Sequence, residues 1–153
     1  MWSAAWSTHL WNRVVKIETM KLTLNRIEIP FVFELTNAAG STCLLDASEG
    51  IGGKGKGFRP MELLAGSLAG CAAIDVLNIL HKKRISVAHF SMHIEGERVA
   101  ATPAPFQTIC LEFTLPVEVD RAQVAGIIEL VLKKYCSVAA SLSEEVEIIY
   151  KIT

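Results

Sequence analysis

The sequence predicts an α+β domain in which antiparallel sheet packs on helices, and three observations carry that prediction. A single long apolar segment, from Arg59 to Arg84, has the composition and punctuation of a helix. Stretches of apolar alternation, the mark of half-buried strands, flank it on both sides. The resulting order of two strands, helix, two strands, helix and strand contains no repeat or linker that would split it. With 153 residues, 51% of them hydrophobic, one domain with a sizeable core is expected.

Residues 1–19 differ in character from the rest. Trp2, Trp6 and Leu10 recur at helical spacing, which would suit a partner or membrane surface. The segment has no charged leading region, compact apolar stretch or small-residue cleavage site, so it does not read as a secretory signal. Met20-Lys21-Leu22 would serve equally well as a start, and an extension of little function is the expectation. From Ile27 to Leu35 apolar residues alternate (Ile27, Ile29, Phe31, Phe33, Leu35), predicting one half-buried strand. Leu22 and Leu24 fall on the opposite phase, which places a bulge near Asn25-Arg26. Asn37 to Gly40 is a turn, and Ser41 to Asp46 returns as the antiparallel partner.

A glycine-rich loop follows, with Gly50, Gly52 and Gly55 in GxGxxG spacing and Gly55-Lys56 in partial Walker spacing. Gly57 stands where a phosphate loop needs Ser or Thr, and the preceding strand belongs to a hairpin rather than a βαβ unit. A mobile surface loop is expected instead. The long helix then opens on Pro60, whose missing N–H costs nothing at a first helical position, and ends in Lys82, Lys83 and Arg84, which suit the helix dipole. It would be about 40 Å long. Its uncharged part runs only from Leu63 to Ile74, shorter than the roughly 20 residues of a membrane span.

After the helix, Ala88, Phe90, Met92 and Ile94 alternate with polar residues. His89 and His93 share a strand face, but about 13 Å of strand separates them, too far for one metal ion. A second strand carries Ile109, Leu111, Phe113, Leu115, Val117 and Val119 on one face. Asp120-Arg121-Ala122-Gln123 resembles a capping box and opens a helix with Val124, Ile127, Ile128 and Val131 inward, ending at Lys133-Lys134-Tyr135. Cys136, Ser137 and a short Ala-rich segment precede a last strand with Val146, Ile148, Tyr150 and Ile152.

A net charge of −1 makes no electrostatic case for nucleic acid or an anionic membrane surface. The four cysteines (43, 71, 110 and 136) form no CxxC pair or Cys/His cluster, so neither a zinc site nor a disulfide scaffold is expected. They suit a reducing compartment, hence a cytoplasmic location. Cys71 lies mid-helix, where burial would make it inert and an arginine would make it a nucleophilic thiolate. Cys136 follows the last turn of one helix and precedes Ser137, an apt N-cap for the next, where its pKa would fall. Composition favours buried structural cysteines over a redox pair.

The block Pro60-Met61-Glu62-Leu63-Leu64 to Gly70-Cys71, then Ala73-Ile74-Asp75-Val76, and then Lys134-Tyr135-Cys136-Ser137-Val138 resemble the OsmC/Ohr family, and most of all its uncharacterised OsmC-like branch. These are the osmotically inducible and organic hydroperoxide resistance proteins. The resemblance covers residues 20–153 and leaves 1–19 outside. It implies an OsmC-like α+β fold, with antiparallel sheets wrapped around a long central helix in an intertwined homodimer. It also implies a thiol-dependent peroxidase that needs no cofactor or metal. Cys71 would attack the O–O bond of an organic hydroperoxide, and Cys136 would condense with the resulting sulfenic acid to a disulfide that an external dithiol reduces. Gly66 and Gly70 would suit close approach of two such helices.

The family's peroxidases carry a glutamate directly after the proline, paired with an arginine that holds the thiolate. Here that position is Met61, and Glu62 follows about 100° further round the helix. Glu62 and Arg59 are therefore the thiolate-supporting candidates, with Arg26 a second candidate for the arginine. Their alternative roles are a first-turn dipole residue and solvated loop cations. Met61 also motivates a different function class, a non-catalytic dimer that binds a small apolar ligand in its interface cleft.

Overall fold

The computed structural model describes residues 18–153, so the stripe formed by Trp2, Trp6 and Leu10 lies outside the described residues. Two compact units divide the chain, one ending at Gly57 and the other running from Phe58 to Thr153.

The first unit is a three-stranded antiparallel sheet of β1 (Leu22–Glu28), β2 (Val32–Asn37) and β3 (Thr42–Leu45), in that order. The expectation of one strand from Ile27 to Leu35 is corrected: the chain turns over residues 29–31, and two strands pair across that turn. Pro30 has no N–H to donate to a ladder, so the alternation through it cannot belong to one paired strand. The turn also reverses the phase, and Val32 is the buried residue while Ile27 and Ile29 are exposed. The register slips between Arg26 and Glu28, next to the irregularity expected at Asn25-Arg26. Asn37 closes the β2–β3 turn with its side-chain oxygen, which accepts from the N–H of Ala39 and Ser41 at 3.0 and 2.9 Å.

The glycine loop that follows is organised around a carboxylate. Asp46 is buried and accepts from the N–H groups of Ala47 at 2.7 Å, Lys54 at 2.8 Å and Lys56 at 3.2 Å. The loop amides that would cradle a phosphate are thus already spent on a side chain of the same unit. Two glycines are explained by close packing: a Cβ on Gly53 would lie 1.9 Å from the Ala47 carbonyl oxygen, and one on Gly57 would lie 2.5 Å from Leu44 backbone. Lys54 and Lys56 reach Glu28, one to each carboxylate oxygen at 2.5 Å. Burial works to raise the Asp46 pKa, but the N–H donors of Lys56, Lys54, Ala47 and Gly55 outweigh it and hold the carboxyl below its ordinary range.

The second unit is built on α1 (Pro60–Lys82). Its buried residues, Ala65, Leu68, Ala69, Ala72, Val76 and Leu80, recur at three- and four-residue spacing and define one face. By length and composition α1 could cross a membrane, but this face makes it the core helix of a folded unit. Opposite lies an open face with Leu64, Ser67, Gly70, Ile74 and Asn78, of which Ile74 is 71% exposed. The helix ends in a Schellman arrangement: the Ile85 N–H reaches the Leu80 carbonyl at 3.0 Å, and Arg84 takes the left-handed position at φ 60°.

The second sheet has the order β4 (Ser91–Arg98), β5 (Phe106–Thr114) and β6 (Glu147–Ile152). β4 and β5 are antiparallel, but β5 and β6 are parallel, which corrects the expectation of purely antiparallel sheet. The physical reason is the connection: α2 (Arg121–Leu130), a π turn (Val131–Tyr135) and α3 (Ser137–Ser141) carry the chain back before β6 begins. Ile109, Leu111 and Phe113 on β5 pack in one core with Val124, Ile128 and Val131 and the buried face of α1. The strand ends at Thr114 rather than continuing to Val119; past Pro116 the chain turns and leaves Val117 86% exposed. Asp120 caps α2 as expected, accepting from the N–H of Ala122 at 2.9 Å.

Two outcomes follow from these local geometries. Arg84→Gly relieves the left-handed strain and raises unfolding stability by about 1 kcal/mol in urea titration; no change or a loss would mean that the arginine side chain supports the turn. Asp46→Ala leaves the loop amides without their acceptor, so the Lys54 and Lys56 N–H groups exchange with solvent faster while α1 amides keep their rates. Because the Asp46 pKa is depressed on folding, its stabilisation is present above the ordinary value of 3.8 and is lost as pH falls through the lowered one.

Candidate functional site

Helix α1 carries Cys71 near its middle, at the border between the buried and open faces, and the side chain is half-buried against the core. The second thiol arrives by a less regular route. At the end of α2 the backbone widens into the π turn, and the Cys136 N–H closes it on the Val131 carbonyl at 2.9 Å. Cys136 then takes an extended conformation (φ −68°, ψ 103°), so the chain leaves the helix at this residue. Its Sγ accepts from the Ala139 N–H at 3.4 Å and thereby caps α3. Ser137, the expected cap, is instead the first residue of the helix.

α1 packs on both the π turn and α3, and the result is a dithiol. Cys136 is only 2% exposed and sits in the same core cluster against which Cys71 packs. Burial pushes the Cys136 thiol above its ordinary value, the Ala139 and Val138 N–H groups draw it partly back, and a hydrogen bond and charge interaction with Cys71 raise it again. These two residues lie 65 positions apart in the sequence, and the fold makes them neighbours.

Arg59 and Glu62 are brought together with each other. The Glu62 carboxylate accepts from the Arg59 backbone N–H at 2.9 Å and pairs with Nε at 3.1 Å, with both side chains half or more exposed. Glu62 precedes Cys71 by nine residues, about 13 Å of helical rise. Within one chain the pair is therefore the N-terminal fastening of α1. Arg26 lies on β1 in the other unit.

Cys43 on β3 and Cys110 on β5 are half-buried strand residues without a thiol partner in their own units. His93 faces outward and meets Glu95 at 3.3 Å, as a solvated strand face would have it. An open depression of about 340 Å³ between the segment after α1 and the start of α2, lined by Ile85, Pro116, Val119 and Gln123, contains none of the cysteines. The sequence reading missed the π turn and the cap made by Cys136. The one signal for the turn was spacing: Val131 and Cys136 are both buried five residues apart, where an α-helix would bury partners three or four apart.

An α+β chain with two three-stranded sheets, a long core helix bearing one thiol and a second thiol packed beside it defines a recognisable class of protein. Residues 53–151 match the OsmC-like protein family, and the chain belongs to it. Protein YhfA of Escherichia coli K12 is 35% identical over 113 residues, which cover 73% of this chain and 81% of that protein. A hypothetical protein from Aquifex aeolicus VF5 superposes with a TM-score of 0.73 at 26% identity, over 90% of this chain and 98% of the other. An organic hydroperoxide resistance protein OsmC from Legionella pneumophila shares the fold alone, with a TM-score of 0.70 at 15% identity over 91% and 99% of the two chains.

The burial difference predicts how the two thiols react. In the reduced protein, iodoacetamide modifies Cys71 ahead of Cys136, and the Cys136 rate climbs only above about pH 9, the ordinary value that burial and Cys71 push upward. Peptide mapping after partial alkylation reads this directly, and equal rates at pH 8 would contradict it.

Proposed function

We propose that the chain is a thiol-dependent peroxidase that reduces organic hydroperoxides through Cys71 and Cys136. The observation that supports it is the dithiol itself: two reduced cysteines, one half-exposed on the core helix and the other buried beside it. The Cys71 thiolate attacks the terminal peroxide oxygen, the O–O bond breaks, and the alkoxide leaves as alcohol after taking a proton. Cys71 is then a sulfenic acid. The Cys136 sulfur, giving up its proton, attacks Sγ of Cys71; the S–O bond breaks and water leaves. An external dithiol reduces the resulting disulfide. No step in this sequence calls on a metal or cofactor.

The dimer and the cytoplasmic location belong to the same proposal. The open face of α1 supports a second copy as its cover: Leu64 and Ile74 are apolar and exposed, and Gly66 and Gly70 offer a surface on which an added Cβ would meet nothing. Arg59 and Glu62, fastened to each other, are assigned to the helix start and not to the thiolate of their own chain. The pairing of Arg59 with Glu62 at the start of α1 favours a second reading, in which the same scaffold binds a small apolar ligand with its thiols at rest.

Intact mass and thiol titration after addition of cumene hydroperoxide separate the two. The peroxidase loses two thiols with no added oxygen, and the Cys71→Ser variant keeps its three remaining thiols; an unreactive wild-type protein supports ligand binding. Gly70→Leu blocks the open face, so the variant elutes as a monomer in size-exclusion chromatography where the wild type elutes as a dimer. Unchanged elution would remove the helix-to-helix interface.

A further inference from the structure

We propose that the Cys136 sulfur serves two partners in turn, capping α3 in the reduced protein and joining Cys71 in the oxidised one, so that forming the disulfide uncaps α3 and loosens the segment from Ser137 to Leu142. This rests on the reading of Cys71 and Cys136 as a disulfide-forming pair and adds a change of local order to the change of bonding.

α3 has little else to hold it. It is five residues long, buries none of them fully, and packs on the core only through Val138 and Ala139, with Leu142 just past its end. A helix this short does not persist on propensity alone. Ser137, the residue suited to capping it, is instead its first residue. The Ala139 N–H is left to the Cys136 sulfur at 3.4 Å and finds no other acceptor among the described residues. The next N–H, of Ala140, closes on the Cys136 carbonyl at 3.1 Å. The first turn of α3 thus hangs on one residue, and half of that attachment is a sulfur.

Joining the thiols takes one electron pair and two protons from them and leaves one S–S bond. The oxidant is the organic hydroperoxide of the proposed reaction, which ends as alcohol and water. A disulfide holds its sulfurs about 2 Å apart, with a dihedral angle across them of about 90°. Two thiols that are in hydrogen-bonding contact before oxidation must therefore close on each other. Cys71 yields little, because it stands within the 23-residue α1 with Leu68 and Ala72 wholly buried on either side. Cys136 stands on extended backbone between a π turn and the five-residue α3. The adjustment falls on that side. The place of the Cys136 sulfur is then set by the new bond rather than by the Ala139 N–H, and a hydrogen bond weakens steeply once its distance and angle are lost. Without its cap the single turn opens locally while the core around α1 stays closed.

Full-length protein is compared when reduced and after oxidation with diamide, whose azo bond takes up the electron pair and two protons and becomes a hydrazine. Peptide mapping checks that Cys71 and Cys136 are joined, and amide hydrogen exchange at one fixed pH follows the backbone. The amides from Val138 to Leu142 should exchange faster in the oxidised protein by about fivefold or more, the scale of a lost N-cap, while α1 and β5 amides keep their rates. Cys71→Ser keeps the cap and cannot form the bond, so diamide leaves its α3 amides unchanged. Cys136→Ser puts a capping oxygen in place of the sulfur, and its α3 amides stay at the reduced rate with or without diamide. Equal rates in the reduced and oxidised wild type, the same acceleration in Cys71→Ser, or the failure of diamide to join the two cysteines would overturn the inference. A disulfide that forms with diamide and not with hydroperoxide sinks the peroxidase reading alone, and the exchange rates still decide whether α3 is uncapped.

Discussion

The burial of one face of α1 is the constraint on which the rest of this molecule depends. Ala65, Leu68, Ala69, Ala72, Val76 and Leu80 give the helix a narrow apolar seam, small in its middle and larger toward the end. Against it pack β5 through Ile109, Leu111 and Phe113, and α2 through Val124 and Ile128. Burying a side chain of this kind is worth about 1.5–3 kcal/mol, so the seam fixes the rotation of the helix about its axis. Cys71 neighbours Ala72, and its position at the edge of the buried face follows from that rotation.

Cys136 reaches the same place by a departure from regular structure. Had α2 run on as a plain α-helix, Val131 and Cys136, five residues apart, would stand about 140° apart around the axis. The π turn and the extended backbone at Cys136 let both be buried. Irregular helical turns of this kind are often found at functional sites, and here the irregularity ends on the sulfur that closes it. Cys71 adds to the burial that holds the Cys136 thiol above its ordinary value, which favours the protonated form at Cys136.

The first unit shows the opposite economy, with polar groups rather than apolar burial holding the chain. Asp46 gathers the amides of the glycine loop, Glu28 takes both lysines, and close backbone approach accounts for Gly53 and Gly57. A spacing that mimics a phosphate-binding loop is here an internal carboxylate site. The motif records where glycine is needed, and the tertiary contacts reveal that the need is for backbone proximity.

Periodicity and punctuation determined much of this protein on their own. The long helix opening on Pro60, the inward residues of α2 and its Asp120 cap were legible because each depends on neighbours within a turn or two. The family and its cysteine pair were legible because the residues around Cys71 and Cys136 keep a recognisable order. Local pattern could not reveal the turn over residues 29–31, since alternation continues through a proline that pairing cannot. It could not reveal the parallel β5–β6 pairing, which depends on where a crossover returns. Nor could it set the two thiols side by side with Arg59 and Glu62 engaged to each other. Contacts between residues distant in sequence are decided by which faces bury together, and only the folded core makes that choice.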